Sequence, residues 1–155
     1  FRSNPIFEAG ILAELAYTNN KLSIFKLTLE GFNQKLEIVS TIAYANANSN
    51  LITSITLDVN LNDLDLIDGA LAINYNSDNQ ITKVAINLKD STEEKMLFGI
   101  DFDMETTFSY DSEKALSEIN SQLELSSVAF ELDLDLKLEL LKEEYSFVEL
   151  AEEVA

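Results

Sequence analysis

The segment from Val128 to Leu140 alternates without a break between apolar and other side chains. Successive side chains of a β-strand point to opposite faces, so this alternation predicts a strand with one dry face and one charged, wet face. At roughly 3.3 Å per residue such a strand would be about 43 Å long. We therefore predict one long strand over residues 121–141, and a fold that is mainly β.

A two-residue period also runs through residues 20–110, which we predict to be a β-meander. Its apolar positions fall into runs that polar turns separate, among them 46–50, 76–79 and 90–94. Short polar turns between such runs are typical of antiparallel neighbours and leave no room for helical crossovers. The pattern thus indicates consecutive, hairpin-connected strands.

Residues 1–19 have a different spacing, which favours a helix. Asn4 is a suitable N-cap and Pro5 suits the first helical position. Phe7, Ile11 and Leu15 recur every four residues and would form one apolar stripe. We expect this stripe to pack on the sheet.

Two further helices are expected nearer the C-terminus. Asp111 or Ser112 can cap a short helix over residues 111–120, in which Ala115, Leu116 and Ile119 have helical spacing. The tail, residues 142–155, loses the alternation and is predicted to be a helix or a frayed end. The expected fold class is thus α+β, in one domain over residues 1–155.

Composition excludes several functions. The chain has 155 residues, and 28 acidic against 10 basic side chains give a net charge of −18, which opposes binding to nucleic acid or an anionic membrane. It contains no histidine and no cysteine, so neither a Ser-His-Asp triad nor a thiolate nucleophile can be built. We therefore predict no enzyme activity, no cofactor and no metal, and an acid-catalysed hydrolase that uses the dispersed carboxylates is the third alternative. A weak calcium loop at Asp63, Asp65 and Asp68 is the minor alternative.

The apolar faces of the predicted strands need a cover that the few predicted helices are too small to supply. A strongly curved, half-barrel-like sheet is the economical solution. Its interior is either packed or hollow, and both alternatives stay open here. The residues that would line a hollow are Phe98, Ile100, Phe102, Phe130, Leu132 and Leu134.

The chain resembles the open half-barrels of bacterial lipoprotein-type carriers, the LolA and LppX-like group. The matching features are the predicted long strands at 96–110 and 128–140, together with the helices expected near Phe7 and Ala115. The resemblance implies an exported, extracytoplasmic protein, periplasmic or at the cell surface, that shelters a lipid or another apolar molecule. The alternative is a structural or interaction module of a surface protein or assembly, with a solid core and an acidic face that binds a protein partner.

Overall fold

A computed structural model describes residues 9–142 of the chain. This part is mainly β and consists of one nine-stranded antiparallel sheet, whose spatial order is the order of the sequence. The strands are β1 (Ala9–Thr18), β2 (Lys21–Gly31), β3 (Gln34–Tyr44), β4 (Ile52–Leu61), β5 (Leu64–Tyr75), β6 (Ile81–Asp90), β7 (Ile100–Tyr110), β8 (Leu116–Ser127) and β9 (Leu132–Leu141). β1 and β9 are its edges, so over residues 9–142 the sheet is open and does not close on itself.

Three of the connections are two-residue hairpin turns in which both residues have positive φ. They are Asn19–Asn20, Phe32–Asn33 and Asn62–Asp63, with φ between 50° and 66°. This is the backbone of a type I′ turn, whose twist matches that of the flanking strands. Asparagine and aspartate tolerate that conformation better than most residues, which explains their frequency here.

Continuous register gives the sheet two chemically distinct faces. One row of directly paired residues crosses all nine strands and defines the apolar face: Leu15, Phe25, Ser40, Leu57, Gly69, Leu88, Phe102, Leu125 and Leu134. The adjacent row defines the polar face: Glu14, Lys26, Val39, Asp58, Asp68, Lys89, Asp101, Ser126 and Asp133. Gly69 belongs to the first row because a Cβ there would lie 3.0 Å from the Leu88 side chain.

The sheet is a single layer in the described part of the chain. Its contacts between elements link consecutive strands only, so no second layer covers either face there. Consequently no apolar side chain of residues 9–142 is fully buried. Stability of this part depends on hydrogen-bonded ladders and on cross-strand side-chain pairs instead of a central core.

The predicted helix over residues 1–19 is wrong where the structure describes it. Residues 9–18 form β1, which pairs with β2, and residues 1–8 lie outside the described range. A spacing of four residues satisfies a period of two as well as a helical stripe. Ile11 and Leu15 therefore share the apolar face of a strand.

The predicted helix over 111–120 is also wrong. Residues 111–115 make a turn, in which the Asp111 carboxylate accepts the backbone N–H groups of Glu113 and Ala115, each at 2.9 Å. An Asp side chain supports such a turn by the same chemistry with which it caps a helix. Leu116 then begins β8, and a register shift beside Ser109 and Tyr110 produces the spacing that resembled a helix.

The long strand predicted over 121–141 is two strands. β8 ends at Ser127, the chain turns through residues 128–131, and β9 begins at Leu132. Glu131 has a φ of 50° although the turn contains no glycine, proline or asparagine. The alternation of apolar and other residues continues through residues 128–131, so the sequence pattern does not indicate the turn. The structure describes the chain only as far as residue 142, so the helix predicted for residues 142–155 lies outside the described range from residue 143 onward.

Tyrosines at the ends of three strands form a repeated contact. Tyr44, Tyr75 and Tyr110 end β3, β5 and β7, and each hydroxyl donates to a backbone carbonyl at or beside the start of the preceding strand. The O···O distances are 2.9, 2.8 and 2.6 Å. Tyr17 occupies the same place on β1, which has no preceding strand within the described part. These contacts fix one end of each hairpin.

Candidate binding surface

The apolar face is the most distinctive surface of the described chain. The row of paired residues that defines this face runs from Leu15 on β1 to Leu134 on β9 and contains no charged side chain. Its exposure is greatest at the two edges, where Ile11 and Leu15 on β1 and Leu136 and Leu138 on β9 are more than half exposed. Large contiguous apolar surfaces on a folded chain mark sites of interaction.

The six residues predicted to line a hollow gather at one corner of the sheet. Ile100 and Phe102 lie on β7, and Leu132 and Leu134 lie on β9 on the same face. They are not direct neighbours, because β8 lies between them and contributes Leu125. The sequence analysis missed Leu125 and also Leu88, which flanks Phe102 on β6. Both follow from the alternation once the strand boundaries are known.

Phe98 and Phe130 complete this corner from the connections rather than from strands. Their rings stack with centroids 5.2 Å apart and planes inclined by 29°. Both remain substantially exposed, at 52% and 67%. The backbone joins the two connections as well, since Ala129 N–H donates to the Phe98 carbonyl at 3.1 Å and the Ser127 hydroxyl donates to the same oxygen at 2.7 Å. The corner is thus held together but open to solvent.

The connection between β6 and β7 is organised around one buried carboxylate. Asp90 is 4% exposed and accepts the backbone N–H groups of Thr92, Leu97 and Gly99 at 2.9, 2.9 and 3.0 Å. It also accepts the Thr92 hydroxyl, and Thr92 is itself only 2% exposed. Burial alone would raise the pKa of Asp90, but these hydrogen bonds outweigh it and hold the pKa below its ordinary value.

The hollows of the described part differ in chemistry between the two faces. An open groove of about 370 Å³ is lined chiefly by polar-face residues, among them Asp103 and Glu124. A hollow with almost wholly apolar walls, between Ile67, Leu88 and Ile100, measures only about 90 Å³. Ligand pockets usually measure about 300–1,000 Å³. Any large apolar ligand would therefore lie on the open face and not in this hollow.

The polar face contains a pair of like charges in directly opposed positions. Asp58 on β4 faces Asp68 on β5. Burial and the Asp68 carboxylate raise the pKa of Asp58, and Asp65 adds to the effect. Asp68 has partners of its own, because the Ser91 hydroxyl donates to it at 2.6 Å and Lys89 faces it from β6. The ionised form of Asp58 is therefore less well stabilised than that of Asp68.

Replacing Asp58 by asparagine is expected to stabilise the protein by about 0.2–1 kcal/mol at pH 7, because it removes a like charge from a directly opposed pair. An acid whose pKa is raised on folding destabilises the folded state when ionised. The wild type should therefore lose stability, relative to Asp58→Asn, as the pH rises from about 4 through the raised pKa. Urea denaturation at pH 4 and pH 7 measures this, with Asp133→Asn on exposed β9 as the control. Equal stability of the wild type and Asp58→Asn at pH 7 would contradict it.

The three acidic residues proposed for the alternative calcium site do not belong to one loop. Asp63 is in the β4–β5 turn, whereas Asp65 and Asp68 are on β5. In residues 9–142 no group of three or more acidic side chains has the arrangement of a metal site. Over the same residues no helix is long and apolar enough to cross a membrane.

Comparisons with known proteins add little. No protein-family model matches the chain, and no curated protein matches it. Among solved structures, it is similar to a DUF3836 family protein from Parabacteroides distasonis, with 13% sequence identity and a TM-score of 0.34, over 73% of this chain and 97% of that one.

Proposed function

We propose that the protein is a non-enzymatic binding module whose apolar face holds a lipid or another small hydrophobic ligand. The observation that carries this proposal is the apolar row that runs across all nine strands and that no other part of residues 9–142 covers. An uncharged surface of this extent gains free energy when it leaves water, at about 25 cal/mol per Å². The strong curvature expected from the sequence belongs to this proposal, since a curved sheet would surround a ligand on more sides.

The corner around Phe102 is the preferred contact region. It combines the Phe98–Phe130 stack with the apolar side chains of β7 and β9, and its aromatic rings are exposed enough to meet a ligand. Aromatic and aliphatic walls with few polar groups are typical of sites for apolar ligands. The extracytoplasmic location expected from the sequence stays a prediction, and so does the alternative of an acidic interaction module.

The proposal is tested by native mass spectrometry of the full chain, together with mass analysis of an organic extract of the same sample. We expect a bound apolar molecule in the wild type. Its occupancy should fall at least about ten-fold in Leu134→Asn, which puts a polar amide into the apolar face. Asp133→Asn, which puts the same side chain on the polar face one residue away, should leave the occupancy unchanged. An empty extract and an unliganded mass would contradict the proposal.

A further inference from the structure

We propose that two copies of the chain stack with their apolar faces together, so that each sheet covers the other. The inference goes beyond the proposed function, because the occupant that it assigns to the apolar face is a second copy of the chain. Face-to-face packing of two sheets, about 10 Å apart, is the ordinary way in which one-sided sheets bury an apolar face.

The size of the face suits a partner sheet better than a small cover. Nine strands about 4.8 Å apart, each about 33 Å long, give a face of about 1,300 Å². The largest apolar patch on a typical monomer is about 300–600 Å². Two such faces in contact would bury about 2,500 Å², which lies within the range of about 2,000–5,000 Å² for permanent homodimers.

The polar side chains that β7 and β8 place on this face already have partners. The Thr106 and Ser121 hydroxyls hydrogen-bond to each other at 2.8 Å, and the Ser127 hydroxyl donates to the Phe98 carbonyl. Asp90, at the end of β6, accepts hydrogen bonds from its own connection. Stacking therefore leaves these groups paired, and on this part of the face the large penalty for a buried polar group without a partner is avoided.

Charge also selects the apolar face as the contact between copies. Each chain has a net charge of −18, so two copies repel each other unless their charged surfaces are far apart. In the stack the polar faces point outward and lie about 20 Å apart, whereas the Debye length at physiological ionic strength is about 8 Å. Contact through the polar faces, or edge to edge through β9, would bring the acidic rows of Asp133, Asp135 and Glu139 together.

Two leucines of β1 provide a matched pair of variants. Leu12 and Leu15 are equally exposed, at 55% and 54%, but Leu12 lies on the polar face opposite Thr28 and Leu15 lies on the apolar face opposite Phe25. We expect light scattering and sedimentation of the full chain to show a dimer. Leu15→Lys combined with Leu136→Lys should raise its dissociation constant by about 100-fold or more, because each lysine would be buried without a partner. Leu12→Lys should change it by less than about three-fold, as a surface substitution does.

Each outcome decides the inference. A wild type that is monomeric at every concentration up to its solubility limit overturns it, and so does a dimer that Leu12→Lys weakens as much as the double variant does. If circular dichroism shows that the double variant does not fold, Leu136→Lys alone is compared with Leu12→Lys. Native mass spectrometry separates the two proposals. A monomer with a bound apolar molecule overturns the stacking and supports the proposed function. A ligand-free dimer that the double variant weakens supports the stacking and contradicts the proposed function.

Discussion

Replacing Asp90 by alanine is expected to lower the melting temperature by about 5–10 °C and to release the connection between β6 and β7. The Asp90 carboxylate accepts three backbone N–H groups and one hydroxyl, and it is buried together with Thr92. Alanine would leave all four donors without their acceptor. Calorimetry measures the melting temperature, and hydrogen exchange at Leu97 and Gly99 should accelerate at least about ten-fold.

The effect of this substitution should depend on pH. Hydrogen bonds to the ionised carboxylate hold the pKa of Asp90 below its ordinary value, despite its burial. A group with a depressed pKa contributes stability that is complete above its unfolded-state pKa of about 3.9 and is lost as the pH falls through its folded-state pKa. The difference between the wild type and Asp90→Ala should therefore be largest at neutral pH and should shrink in acid.

Asp101→Ala is the control for Asp90→Ala. Asp101 is exposed at the start of β7 on the polar face, where it lies opposite Lys89. Its loss should change the melting temperature by less than about 2 °C, as expected for a surface substitution. Equal melting temperatures for Asp90→Ala and Asp101→Ala, with unchanged exchange at Gly99, would show that the carboxylate does not organise the connection.

The sheet could be predicted from the sequence where the two-residue period has no competing interpretation. β4 is an example, since Ile55, Leu57 and Val59 alternate with polar residues and all three lie on the apolar face. β1 could not be distinguished in the same way. Ile11 and Leu15 are four residues apart, and this spacing fits one face of a strand as well as one stripe of a helix. Pairing with β2 decides between them, and pairing is a tertiary property.

The candidate surface was predictable in its chemistry but not in its arrangement. Phe102 and Leu134 lie in one row of the apolar face, and their role as ligand-lining residues stays a prediction. Their separation by Leu125 was hidden, since the sequence from 128 to 131 lacks the usual turn residues. That turn depends on distant contacts instead, namely the Ser127 hydroxyl on the Phe98 carbonyl and the stack of Phe98 on Phe130. Local propensity contains no information about such contacts.

Gly99→Ala is expected to destabilise the protein by about 2–5 kcal/mol, since two independent costs add at this position. Gly99 has a φ of 57°, a conformation that costs an L-residue with a Cβ about 1–2 kcal/mol. A Cβ there would also lie 2.9 Å from the Cβ of Val128 and 3.3 Å from that of Lys95. Overpacking of this kind typically costs about 1–3 kcal/mol. Urea denaturation measures the sum.

The two costs of Gly99→Ala can be separated by a double-mutant cycle with Val128→Gly. Removing the Val128 side chain abolishes the closest approach but leaves the Lys95 Cβ and the positive φ, so the double variant should recover only the part of the loss due to Val128. Gly10→Ala is the matched control, because a Cβ at Gly10 would have nothing within 4 Å. Alanine should be neutral there, or stabilising by about 0.5 kcal/mol, since glycine weakens a strand. If Gly99→Ala were as harmless as Gly10→Ala, the Gly99 backbone could not lie so close to Val128 that an added Cβ would be 2.9 Å from the Val128 Cβ.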